Sequence, residues 1–236
     1  TTFTEMLNKG NLPYMATLRN VRNMIDSGVD STLVSYSLLS RAANSKALPF
    51  RYVAAARACP SLAAVLSDSM LKSTESMEKL SGSTVVIVDV SGSMDSPLSS
   101  KSDLTKMDAA SALAVLTREL SENCRIFSFS NQVKEIPNYR GLGLIDLINK
   151  SQPNGGTDLA GALKLINSHV SNPTRVIVIT DEQSQSGIIP GFGKFNYILN
   201  VATDQHGLSC QGGWERINGF SESFVEWMKV NESSDT

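Results

Sequence analysis

Cysteine is scarce in this chain: among 236 residues there are only Cys59, Cys124 and Cys210, far apart and without a C-x-x-C pair. An odd count at such spacing supplies neither a disulfide framework nor a zinc site, and it suits a reducing, intracellular setting. Histidine is scarcer still, with His169 and His206 alone, and neither adjoins a nucleophile motif. Gly-x-x-x-x-Gly-Lys-Ser/Thr and Gly-x-Ser-x-Gly do not occur, and Asp89-Val90-Ser91 lacks the second Asp of an aspartyl phosphatase loop. Catalysis is therefore not expected, and His169, late in a helical run, suits an interaction with the helix end. No apolar run approaches the ~20 residues that cross a bilayer, and no charged-then-apolar leader opens the chain. The expectation is a cytoplasmic protein with no membrane partner. The chain opens at Thr1 rather than Met, as a piece of a longer protein would.

What is present is a hydrophobic content of 41%, enough for a buried core in one large domain or two small ones. The net charge of -2 hides an asymmetry, since residues 1–82 carry nine Lys and Arg against six Asp and Glu, and residues 83–236 twelve against seventeen. A mildly basic first part and an acidic remainder admit an anionic partner on one side only, although numbers this small are also ordinary solvated surface.

Residues 1–81 read as an all-α segment with no internal repeat of full solenoid period, its paired helices suiting the end of a helical array. Met15, Leu18, Val21 and Ile25 recur at helical spacing, with Arg19, Arg22, Asn23 and Asp26 on other faces and Gly28 ending the helix. A second helix is expected over 31–43, a third from Pro49, whose ring suits the first turn, and a fourth from Pro60 to about Lys79. The pattern changes at Ser81-Gly82-Ser83, where we place the boundary of a second domain, 82–236. Val85-Val86-Ile87-Val88 is a β-branched run without alternation, as in a central parallel strand buried on both faces. Further apolar runs at 126–129, 176–179 and 197–201 alternate with helical segments near 105–120, 142–150 and 158–170. That alternation predicts an α/β fold with a doubly wound, mostly parallel, Rossmann-like sheet. Leu159, Leu163, Ile166 and Val170 form one core stripe, and Phe220, Phe224, Trp227 and Met228 another on the closing helix.

The chemistry gathers where strands should end. Asp89-Val90-Ser91-Gly92-Ser93 follows the first strand, Gly155-Gly156-Thr157-Asp158 precedes a helix, and Thr180-Asp181-Glu182 follows another strand. In open α/β sheets, ligand sites form beyond the carboxyl ends of the strands, so these loops are expected to converge. Their side chains offer oxygen alone, which suits a hard cation such as Mg2+, with Mn2+ or Ca2+ as alternatives. Ser91, Ser93 and Thr157 can ligate through hydroxyls, while Asp89 and Asp181 hold waters or hydroxyl protons and supply charge. Singly, each has a local reading: Asp89 caps a turn, Thr157 is a good helix N-cap and Asp181 is a loop residue. Jointly, and in this order, they point to a metal. The adjoining loop from Glu182 to Gly187 has no apolar anchor and is expected to be mobile or to rearrange when an acidic group reaches the metal.

Asp89-Val90-Ser91-Gly92-Ser93-Met94, with Thr157 and Asp181 downstream, resembles the metal-ion-dependent adhesion site of von Willebrand factor type A domains over about residues 83–230, and all five motif positions match. The resemblance implies two serines and a threonine as inner ligands, with an acidic partner group completing the shell. A narrower resemblance joins Leu18-Arg19-Asn20-Val21, the helix opened by Leu48-Pro49-Phe50, the Gly-Gly-Thr-Asp at 155–158 and the Gly219-Phe220 pair before the final helix. Together these are similar to the TROVE-domain proteins, the Ro RNA-binding family, and more distantly to the telomerase-associated vault component. In Ro-like proteins a ring of helical repeats carries RNA and the A-type domain closes the ring; this chain resembles the last helices plus the A domain.

The resemblance implies a non-catalytic RNA-binding protein, acting on non-coding or single-stranded RNA or in RNA quality control, as part of a ribonucleoprotein. Arg19, Arg22, Arg41, Lys46, Arg51 and Arg57 are the candidate phosphate contacts, although on amphipathic helices such residues are often solvated faces. The rival reading is a metal-dependent protein-binding module that takes an Asp or Glu from a partner.

Overall fold

The computed structural model describes residues 2–181, 189–202, 207–219 and 221–234. The chain divides into two compact units, residues 1–78 with 140–143, and residues 79–139 with 144–236.

The first unit contains α1 (Phe3–Asn8), α2 (Tyr14–Arg19), α3 (Val21–Asp26), α4 (Ser31–Arg41), α5 (Pro49–Ala58) and α6 (Ala63–Thr74), with 3-10 turns at Ala42–Asn44 and Pro60–Leu62. The apolar period through Met15 and Ile25 forms two helices, not the single helix expected. The chain breaks at Asn20 (φ -108°, ψ 9°), whose Nδ2 donates back to Ala16 O at 2.8 Å and whose Oδ1 accepts from Asn23 Nδ2 at 3.2 Å. An Asn side chain competes with the backbone in this way and ends a helix that hydrophobic spacing alone would continue. Gly28 (φ +80°) then closes α3 in the left-handed conformation, with Val29 N–H reaching back to Met24 O at 3.0 Å. α6 also stops early, at Thr74 instead of near Lys79; the Ser73 and Thr74 hydroxyls turn back onto the Met70 and Leu71 carbonyls.

Leu18, Val21, Met24, Leu38, Tyr52, Leu66 and Met70 build the core of this unit. Within it the Tyr14 hydroxyl donates to Leu38 O at 3.2 Å and lies 3.0 Å from the Tyr52 hydroxyl, which therefore acts as donor. Burial raises the Tyr14 phenol well above its ordinary range.

The second unit is a sheet of seven strands among the described residues, in the order β3-β2-β1-β4-β5-β7-β6. These are β1 (Leu80–Asp89), β2 (Ser121–Phe129), β3 (Val133–Glu135), β4 (Arg175–Thr180), β5 (Phe195–Asn200), β6 (Gly207–Gln211) and β7 (Trp214–Asn218). β1 pairs in parallel with β2 and β4, β4 with β5, and β5 with β7, while β3 and β6 are antiparallel edges. Sequence patterning anticipates β1, β2, β4 and β5; β3, β6 and β7 are additions.

The helices are α7 (Lys106–Glu119), α8 (Leu142–Asn149), α9 (Leu159–His169) and α10 (Phe224–Ser233). On one face of the sheet, Val85, Ile87, Val176, Val178 and Ile198 pack with Leu163 and Ile166 of α9, with Val170 just past its end and with Trp214. Val86, Val88, Ile177 and Ile179 alternate with them and are wholly buried as well, as expected of strands covered on both sides. Tyr197 meets Trp227 of α10 edge to face, 5.8 Å between ring centroids. Phe220, assigned to the same stripe, lies outside the described residues.

A buried ion pair fastens α10 to the sheet. Arg175, 1% exposed at the start of β4, donates Nε and Nη2 to the two carboxylate oxygens of Glu232 at 2.9 and 2.5 Å. Its Nη1 serves Ser81 O and Thr84 Oγ1, and Tyr197 donates to the same carboxylate at 3.1 Å. Each nitrogen of that fork has at least one fixed acceptor, the condition under which a buried guanidinium is tolerated.

Candidate metal centre

The sheet order places β1 between β2 and β4, so the connections leaving β1 and β4 run in opposite directions, and the carboxyl ends of these two strands open at the switch point. Asp89 is the last residue of β1 and Thr180 the last of β4. Both are buried, as are Ser91 and Asp181, whereas Ser93 and Thr157 are half-buried.

Both oxygens of Asp89 are engaged: Oδ1 accepts the Ser91 backbone N–H at 2.9 Å and Oδ2 accepts the Thr180 hydroxyl at 2.7 Å. Asp89 therefore orients the Ser91 loop and supplies charge. Burial raises its carboxyl above the ordinary range, hydrogen bonds from Ser91 and Thr180 oppose the rise, and the neighbouring Asp181 charge adds to it. The Ser91 and Ser93 hydroxyl oxygens stand 3.3 Å apart. Neighbouring ligands on an octahedral cation with bonds of ~2.1 Å are roughly 3 Å apart, so this spacing suits a shared ion. Asp181 Oδ2 faces Lys106 Nζ at 3.4 Å, while its Oδ1 is buried with no hydrogen-bond partner among the described residues.

The loop that carries Thr157 is tied on both sides of that residue. Gly92 N–H donates to Gly155 O at 3.1 Å and Asp158 N–H to Ser130 O at 3.0 Å. Asp158, not Thr157, caps α9, through Oδ1 to Gly161 N–H at 2.9 Å, which frees the Thr157 hydroxyl from the capping role. Asn131 packs so closely on Gly155 and Gly156 that a Cβ on either would lie 2.7 Å from its amide. Under the loop, Ser130 Oγ donates to Gln152 Oε1 at 2.8 Å and Gln152 Nε2 to Ser128 Oγ at 3.0 Å, all three residues buried. At the rim Asn154 donates to Asp95.

The structure thus brings Asp89, Ser91, Ser93 and Asp181 to one end of the sheet and anchors the Thr157 loop by its neighbours. Lys106, Ser130, Asn131 and Gln152 escaped the sequence reading, which included Thr180 only as the residue before Asp181. Thr180 alone had a local signal, as a hydroxyl ending an apolar strand beside Asp181. Among the described residues no group of three or more His, Cys, Asp or Glu is placed to hold a metal, so any cation here depends on hydroxyls. The loop from Glu182 to Gly187 and His206 lie outside the described residues. His169 is the last residue of α9, its Nδ1 2.8 Å from Leu165 O.

The six basic candidates lie in the helical unit and differ in their exposure. Arg19, Arg22, Lys46, Arg51 and Arg57 are exposed. Arg41 is half-buried: it donates to Leu12 O at 2.9 Å and its guanidinium carbon lies 5.8 Å from the Tyr14 ring centre. Arg51 and Arg57 share α5 but, six positions apart, point about 120° away from each other.

No helix among the described residues is long and apolar enough to cross a membrane. No match to a curated protein was found. Among solved structures, the Ro (RSR) protein of Deinococcus radiodurans shares this fold over 90% of the chain at 17% identity, with a TM-score of 0.67. The chain spans about half of that protein, 53% of its length. An aerotolerance-related membrane protein from Bacteroides fragilis matches at TM-score 0.38 and 14% identity, over 60% of this chain and 83% of its own. A conserved hypothetical protein from Bacteroides thetaiotaomicron matches at 0.38 and 15%, over 61% and 83%. Residues 84–183 match the model of the von Willebrand factor type A domain, and the second unit is an α/β domain of that kind, preceded by a helical segment.

Proposed function

We propose that the second unit holds a divalent cation, Mg2+ in the first place, through Ser91, Ser93 and Thr157, with Asp89 and Asp181 supplying orientation and charge. The observation that carries this reading is Asp181 Oδ1, a buried carboxylate oxygen with no hydrogen-bond partner among the described residues, beside paired serine hydroxyls. A carboxylate oxygen kept from water needs a donor or a cation. A bound ion would supply a Lewis-acidic position open to an outside acidic oxygen. Calorimetric titration with Mg2+ tests the assignment, and unchanged affinity after both Asp89→Ala and Thr157→Ala would sink it.

For the chain as a whole the reading is a non-catalytic, Ro-like RNA-binding protein of the cytoplasm, acting in non-coding RNA binding or RNA quality control. The TROVE-like residues Leu18-Arg19-Asn20-Val21 and the fold shared with a Ro protein support it. The exposed Arg19, Arg22, Lys46, Arg51 and Arg57 are the phosphate contacts in this reading, and Arg41 serves the helical core instead. Filter binding of single-stranded RNA at several salt concentrations decides it. Affinity should fall as salt rises, and the Arg19→Ala, Arg22→Ala double variant should show a shallower salt slope, because each lost phosphate contact removes a released counterion. Absence of salt-dependent binding would replace this reading with a metal-dependent module for an acidic group of a protein partner. The hydroxyl-rich donor set favours that second reading, since neutral inner ligands leave an ion electrophilic.

A further inference from the structure

The candidate centre contains a cation of its own. Lys106 is the first residue of α7, in the turn where the helix dipole disfavours positive charge, and that turn is already served by the capping box of Thr105 and Asp108. Its backbone N–H is fixed to Ser96 O at 3.0 Å. The side chain is 15% exposed and reaches the wholly enclosed side chain of Asp181. A lysine set against a helix dipole and largely out of water is held there by its carboxylate partner. Among the described residues Asp89 is the other charge next to Asp181, already bound to Ser91 and Thr180, while Asp95 lies at the exposed rim, bound by Asn154.

We propose that Lys106 sets the charge of this centre, weakening its hold on a divalent cation and making the occupied centre favour an outside carboxylate. The inference rests on the metal reading above. Among the described residues Asp89 and Asp181 offer two negative charges and Lys106 cancels one, so a divalent cation leaves these groups with one positive charge instead of none. Repulsion between the ammonium and the cation lowers affinity, and the same surplus draws in an anionic oxygen. Replacing the ammonium by a neutral chain of similar length removes both effects, in opposite directions. A merely structural lysine would not produce that pairing, since its loss would weaken both.

The test is calorimetric titration of the whole chain with Mg2+, with and without acetate, for wild type, Lys106→Met and Lys106→Arg. Lys106→Met should bind Mg2+ about tenfold more tightly without acetate, and Lys106→Arg should stay within about twofold of wild type. Acetate should tighten Mg2+ binding to wild type and have less effect on Lys106→Met. Equal or weaker Mg2+ binding by Lys106→Met, or Lys106→Arg behaving like it, overturns the proposal and leaves the metal assignment standing. A wild type that binds no Mg2+ overturns both. Melting curves in EDTA show whether each variant folds, and Lys106→Gln takes the place of Lys106→Met if that variant does not.

Discussion

Thr180 donates its hydroxyl to Asp89 Oδ2 at 2.7 Å, joining the last residues of β4 and β1 beneath the candidate centre. The bond spans 91 residues of sequence and holds a carboxylate that has no access to water. Asp89 in turn fixes the Ser91 backbone, so the strand-end threonine acts on the serine loop through one intermediary.

Thr180→Val keeps the shape and removes the donor. It should cost about 1–3 kcal/mol of stability, the usual penalty for a buried charged group that loses a hydrogen bond, and should weaken Mg2+ binding as well. Thr180→Ser should recover most of both. Urea denaturation in EDTA and calorimetry check the two effects separately.

Thr157→Ala removes a hydroxyl from a loop whose backbone anchors, at Gly155 and Asp158, do not involve that side chain. Mg2+ affinity should fall while the melting temperature in EDTA moves little. A melting temperature that falls as far as it does for Thr180→Val would place Thr157 in the framework of the unit.

Affinity for Mg2+ should depend on pH through Asp89. Burial raises this carboxyl, so the folded, metal-free chain keeps its proton at pH values where the unfolded chain has lost it. The group's contribution to metal-free stability therefore declines as pH climbs from the ordinary carboxylate range through the raised folded value. Mg2+ competes with the same proton, so its affinity should rise across that window and level off above it. Melting in EDTA should show the decline for wild type and lose it in Asp89→Asn.

Glu232→Gln leaves the Arg175 guanidinium in the interior without its counter-charge. Breaking a buried pair from one side costs about 3–5 kcal/mol, and this carboxylate also accepts from Tyr197. Urea unfolding midpoints of Glu232→Gln and Tyr197→Phe should separate the two contributions, with the first much the larger.

The central strands were legible because burial on both faces leaves a mark in composition: Val85 to Val88 and Val176 to Ile179 are unbroken apolar runs. β3 and β7 are short and mix charge with apolar residues, as in Val133-Lys134-Glu135 and Trp214-Glu215-Arg216-Ile217-Asn218, so no local pattern reveals their pairing. The break at Asn20 was hidden for a different reason, since hydrophobic period reports burial and is blind to an amide that captures a backbone carbonyl. Asp89, Ser91, Ser93, Thr157 and Asp181 stood out because each lies in a short run at a strand end or helix start. Lys106 did not, because its partner is 75 residues away and a lysine at a helix start reads as solvated surface.

The backbone bonds from Gly92 to Gly155, from Asp158 to Ser130 and from Val90 to Phe129 O at 2.9 Å assemble the centre from protein alone. None of those bonds uses the side chain of a candidate ligand. Chelation should therefore empty the centre without melting it, and an ion should come and go at a pace set by the shedding and recovery of its own water, for which magnesium is slow. A cell could then read the local supply of the metal, or of the acidic group that joins it, on a scaffold whose persistence does not depend on either.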